Sequence, residues 1–207
     1  MVVARETHAS RQVRRRAAAL RAGAVLLLGL GGLAVWQAAP GADVTAPAAS
    51  PVNPLAGTLP AAPQPWTGEA TGCTVPDPSG TGGCVAGVTA WAVDQLTAAV
   101  GEQPMTCWSE HAWNPSSDHP RGLGCDIFVG AAGQFPAGDH LAHGWRMAEW
   151  LRVHAADLGV HYLIWQGQIW VADRAGAGWV PYDGGGVYDP GDATGGHFDH
   201  VHVSLRG

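Results

Sequence analysis

The sequence predicts an α+β domain, a small antiparallel sheet flanked by helices. Two observations carry this reading. Apolar residues at helical spacing and apolar residues in strict alternation occupy separate stretches of chain. The alternating stretches are also short and are divided by glycine-bearing turns, as antiparallel strands are.

Taken in chain order, residues 85–100 place Val88, Trp91, Ala92, Leu96 and Ala99 on one helical face, and Gly101 follows as a stop. Leu123, Cys125, Ile127 and Val129 alternate with other residues, which predicts a strand. Asp139 stands where it would cap a second helix reaching Leu158. The buried stripe of that helix would be Leu141, Trp145, Ala148 and the stem of Arg152, with Gly159 as its end. Residues 162–165 and 169–172 read as two short strands about Gln166-Gly167, a hairpin. Residues 182–194, dense in Gly and Asp, predict a loop, and residues 200–205 alternate again as the last strand. On that strand Val201, Val203 and Leu205 face the core, while His200 and His202 share the opposite face.

The chain of 207 residues has room for one ordinary domain and additions to it. Six arginines, Arg5 to Arg21, precede an apolar run; five arginines and no lysine follow, against sixteen acids. The body is therefore acidic, which excludes the basic footprint of a nucleic-acid-binding protein. The basic flank and apolar run predict an export signal. Residues 1–21 read as a basic cytoplasmic segment and 22–39 as a membrane anchor or signal peptide, with Ala46-Pro47-Ala48 resembling a distant cleavage site. Residues 40–65, rich in Ala and Pro, read as an extended linker, and 66–207 as a monomeric extracytoplasmic domain. The chain is thus expected at the cell membrane as a single-pass protein, or secreted.

Outside the cytoplasm the four cysteines read as two disulfides. Three pairings exist; Cys73–Cys84 with Cys107–Cys125 closes the shortest loops and is favoured. A zinc site of four cysteines is disfavoured, because no CxxC pair is present.

Two clusters carry chemistry. One is Ser117-Asp118-His119-Pro120-Arg121-Gly122-Leu123-Gly124-Cys125-Asp126; the other holds His197, His200 and His202. A loop imidazole, a strand carboxylate and an imidazole from another strand make a three-ligand set, and catalytic zinc has three protein ligands and one open position. Arg121 could grip a substrate carboxylate in a bidentate pair or bond Asp118. Ser117 could serve the site or only the turn. His111, His140, His143, His154 and His161 have no complete ligand set around them and read as surface or packing residues. Trp165 and Tyr188 are candidates for the wall of a cleft.

The pattern Ser117-x-His119-x-x-Gly122-x-x-x-Asp126, followed by His200-x-His202, resembles zinc peptidases of the D-Ala-D-Ala carboxypeptidase and murein endopeptidase type. These share the hedgehog-type fold with lysostaphin relatives. The resemblance covers roughly residues 108–204. Cys107-Trp108, Trp113-Asn114-Pro115 and the stretch from Gly195 to Ser204 also resemble an actinobacterial family of exported domains of this type. The resemblance implies Zn(2+) on His119, Asp126 and His202, and Asp199, three positions before the last ligand, as general base. Asp199 is shorter than the Glu more common there, which leaves His197 and His200 as rivals for proton transfer. The implied activity is hydrolysis of a peptide bond in cell-wall peptidoglycan, by carboxypeptidase or endopeptidase action. A zinc-containing wall-binding module without turnover is the alternative, and a disulfide-built domain without metal is a third reading.

Overall fold

The computed structural model describes residues 58–207. The basic segment 1–21, the anchor or signal 22–39 and linker residues 40–57 lie outside the described residues. No helix among the described residues is long and apolar enough to cross a membrane.

A short hairpin, β1 (Val75–Pro76) with β2 (Cys84–Val85), precedes helix α1 (Gly87–Val100). Then come β3 (Met105–Thr106), β4 (Gly124–Phe128), helices α2 (Gly138–Val153) and α3 (Ala155–Leu158), β5 (Val160–Trp165), β6 (Gln168–Val171), β7 (Val180–Pro181) and β8 (His200–Leu205). Strands β3 to β8 form one six-stranded sheet in the order β3-β4-β8-β5-β6-β7, every pair antiparallel. The last strand in sequence thus lies inside the sheet, between β4 and β5. The α+β class expected from the sequence is the one observed.

The two sheet faces differ in chemistry because side chains alternate. One face carries Cys125, Ile127, Leu163, Trp165, Trp170, Val201, Val203 and Leu205, all buried. It packs on Leu96 of α1, on Met147, Ala148 and Leu151 of α2, and on Leu158 of α3. Buried Glu149 on α2 is satisfied by Arg152 Nε (2.8 Å) and Trp179 Nε1 (2.8 Å). The opposite face carries Asp126, Tyr162, Ile164, His200, His202 and Ser204, and it is also covered: His200, His202 and Ser204 are buried.

Several boundaries differ from expectation. Helix α1 starts two residues late, because Val85 pairs with Val75 in the hairpin. The second helix breaks at His154, splitting α2 from α3. Asp139 does not cap it; it lies in the first turn, where its charge suits the helix dipole. Linker residues 58–65 are part of the folded body. Trp150 Nε1 donates to the Ala61 carbonyl (3.0 Å), the Gln64 amide donates to Gln95 Oε1 (3.0 Å) and Pro63 is buried. Apolar side chains on the helices offer proline-rich chain a surface that composition alone does not reveal.

The disulfides are Cys73–Cys84 and Cys107–Cys125. Loops of this size stabilise by about 3 kcal/mol when closed. The second bond holds the segment after β3 against β4. Ser79 Oγ accepts from the Cys107 amide (3.0 Å), and Asp77 Oδ2 accepts from the Trp108 amide (3.3 Å). Burial pushes the Asp77 carboxyl up, but the hydroxyls of Thr81 and Ser79 and the two amides outweigh it. The carboxyl lies below the usual aspartate range.

Two outcomes follow for stability. A Cβ at Gly144 would lie 2.2 Å from the Trp165 ring. Alanine gains about 1 kcal/mol of helix propensity over glycine, and overpacking costs about 1–3 kcal/mol. Gly144→Ala is therefore expected to lower the urea midpoint, and a raised midpoint would contradict the packing. Asp77, with its depressed value, contributes stability above the usual aspartate range that is lost as pH falls through the folded value. Asp77→Asn is expected to flatten that acid limb in pH-dependent denaturation; an unchanged limb would contradict the assignment.

Candidate metal centre

Strand register builds the floor of the centre. In the β4–β8 ladder Asp126 stands directly opposite His202, and Phe128 opposite His200. Residues facing one another across a ladder project to the same side. His202 Nδ1 accordingly lies 2.7 Å from Asp126 Oδ1, and His200 Nε2 lies 3.4 Å from the same oxygen.

His119 arrives from a single 3-10 turn, His119–Arg121, with Pro120 fitting its first positions. Gly122 ends the turn at φ +66°, where a Cβ would meet Val85 Cα at 2.5 Å, so glycine is required twice over. His119 Nδ1 lies 3.0 Å from the Cys107 carbonyl, which can only accept, so Nδ1 carries the proton. That leaves the Nε2 lone pair aimed at Asp126 Oδ1, 3.3 Å away. A backbone carbonyl holding the far nitrogen of a metal-binding histidine is the usual means of orienting it.

His119, Asp126 and His202 offer ligand atoms within 4.8 Å of one another, so the group could hold a metal ion. The donor set fits a divalent transition cation: two neutral-capable imidazoles and a carboxylate, with His202 Nε2 buried and without a partner among the described residues. Asp126, His197 and His200 form a second group that meets the same distance test.

Electrostatics favour the ligand-competent states of Asp126 and His197. Burial raises the Asp126 carboxyl, but His200 beside it and the neighbouring imidazoles of His119 and His202 hold it well below the usual range. Burial, then the charges of His200 and His202, push His197 well below the usual histidine value. Burial lowers His200 too, but Asp126 and the bond to Asp199 outweigh it and leave its value raised.

Asp199 does not face the cleft, contrary to its expected part as general base. Alternation turns it away from the face that His200 and His202 share. Its Oδ1 lies 2.6 Å from His200 Nδ1, while Oδ2 accepts from the Gly133 amide (2.5 Å) and Thr194 Oγ1 (2.9 Å). Arg121 also stays out of the cleft, its guanidinium paired with Asp118. Ser117 lines the cleft and its Oγ accepts from the His119 amide (3.3 Å). Asp118 further accepts from Tyr162 Oη (2.9 Å) and Ser204 Oγ. The Tyr162 ring stacks on His202 at 5.4 Å and 21°.

The centre opens into a cleft of about 320 Å³. Tyr188 lines it, as expected; Trp165 does not, being fully buried against α2. Three wall residues escaped the sequence reading. His111 stacks on His119 at 4.7 Å and 16°, at a left-handed φ of 44°. Tyr162 underlies His202, and Tyr182 meets His197 edge-on at 5.0 Å. Burial and the neighbouring Tyr188 and Asp183 raise the Tyr182 hydroxyl to about 12, so it stays a donor at neutral pH. None of these three lies at ligand spacing; only the paired strands bring Tyr162 to His202.

A family model described as "VldE, C-terminal domain" matches residues 81–198. No curated protein and no solved structure matches the chain. The matched stretch contains the His119 turn, β4 and His197, and ends two residues before β8.

Removing the Tyr162 hydroxyl deprives buried Asp118 of a donor, which typically costs about 1–3 kcal/mol. Tyr162→Phe is expected to lower stability by that amount in urea titrations. Wild-type stability in this variant would show that the Asp118 network does not brace the floor of the cleft.

Proposed function

The chain belongs to the VldE C-terminal domain family, and we propose that this member is a zinc-dependent hydrolase of peptide bonds in cell-wall peptidoglycan. The reading rests on one observation: His119 Nε2 and His202 Nδ1 converge on a single oxygen of Asp126, at 3.3 and 2.7 Å, on the floor of an open cleft. The motif resemblance to D-Ala-D-Ala carboxypeptidases and murein endopeptidases supplies the substrate class and a hedgehog-type arrangement of the sheet. The two disulfides support a location outside the cytoplasm, where the wall is.

His119, Asp126 and His202 would hold the zinc. Bound there, zinc supplies Lewis-acid polarisation of a carbonyl and acidifies water toward a pKa of about 7. The chain's own residues do the rest. His200 turns Nε2 to the cleft and takes the proton of the attacking water, then returns it to the leaving amine. Asp199 is the positioning residue for His200: its carboxylate fixes the imidazole tautomer and orientation through Nδ1. Tyr182 offers a hydroxyl donor to the charge that develops on the substrate oxygen. His111, Trp113 and Tyr188 form walls against which an extended peptide can lie.

Purified full-length protein is expected to retain about one tightly held zinc and to release peptide fragments from wall muropeptides, read by mass. His119→Ala is expected to lose both metal and turnover. An active, metal-free variant would remove the reading, and wall binding without any turnover would replace it with a binding module. Asp199→Asn is expected to lower kcat roughly 10- to 100-fold with zinc content intact. Because the Asp199 carboxylate helps hold the His200 value up, the acid limb of the kcat/KM profile should move to lower pH in that variant. An unmoved limb would show that Asp199 is only structural.

A further inference from the structure

Beyond the three residues assigned to zinc, a second set of donors surrounds Asp126. Asp126, His197 and His200 place ligand atoms within 4.8 Å of one another. His197 is only 8% exposed, and its Nδ1 is buried without a partner among the described residues. Its ring centroid lies 4.7 Å from that of His200. His200 is oriented from behind by Asp199, at 2.6 Å from Nδ1, so its Nε2 points toward Asp126. A carboxylate–histidine pair of this kind is the usual backing of a metal ligand.

The backbone also holds His197 in place. Its φ of 56° is left-handed, uncommon for a residue other than glycine. The strain is held by the His197 amide donating to the Thr194 carbonyl (3.0 Å) and by the His197 carbonyl accepting from the Gln166 amide (2.9 Å). Strain kept at a cleft, with an unsatisfied buried nitrogen at the end of the side chain, marks a place built for a ligand.

We infer that Asp126, His197 and His200 form a second, weaker site for a divalent transition-metal cation, and that filling it takes His200 out of proton transfer. Imidazole donors with one carboxylate select such cations over magnesium or calcium. The site is the weaker one because Asp126 is shared, so an ion already on His119, Asp126 and His202 repels the second. The binding claim stands on the side chains alone; the suppression of turnover rests on the hydrolysis proposed above.

Full-length protein stripped by chelator and dialysed against rising free zinc is the test, with bound zinc per chain read by elemental analysis. Wild type is expected to fill in two steps. His197→Ala and His197→Asn are both expected to lose the second step and keep the first, and asparagine tolerates the left-handed backbone. Hydrolysis of a wall peptide by the wild type, followed over the same zinc range, is expected to fall as the second step fills. A single step in wild type, or a second step surviving in both variants, overturns the site. Two steps with no hydrolysis at any zinc level would uphold the cation site and remove the hydrolase reading.

Discussion

The antiparallel register of β4 against β8 is the constraint on which the site depends. It sets Asp126 opposite His202 and, two residues along, Phe128 opposite His200. A slip of one residue would carry both imidazoles into the apolar core and bring Val201 and Val203 to the cleft. The apolar face therefore protects the chemistry: burying Cys125, Ile127, Val201 and Val203 against the helices admits only the register that presents Asp126 and the histidines together.

Around that pair the fold solves a problem of charge. A carboxylate and several imidazoles share a largely buried space, and each needs a fixed partner on its far side. His119 has the Cys107 carbonyl, His200 has Asp199, and His202 has the Tyr162 ring that Asp118 anchors. The Cys107–Cys125 disulfide lies next to both His119's acceptor and Asp126 itself. Folding stability and site geometry thus run through the same few residues.

Much of this was legible in the sequence. The α+β class, α1, the β5–β6 hairpin and the last strand follow from periodicity, and the His119, Asp126 and His202 side chains come together as their motif spacing implied. What periodicity could not show were strands of two residues, β3 and β7, which are too short to alternate. Nor could it show the direction of Asp199: its position before the last histidine suggested a base, yet strand alternation turns it behind His200. Arg121 read as a substrate grip or as a partner of Asp118, and the ion pair is the one formed. His111 reaches His119 only through loop geometry, for which the sequence carries no periodic signal.

Zinc-edge anomalous diffraction from crystals of the zinc-loaded protein tests the central claim most directly. The account requires an anomalous peak bonded to His119 Nε2, an Asp126 carboxylate oxygen and a His202 ring nitrogen at about 2.0–2.2 Å. A peak elsewhere, or those three side chains too far apart to share one ion, would contradict it.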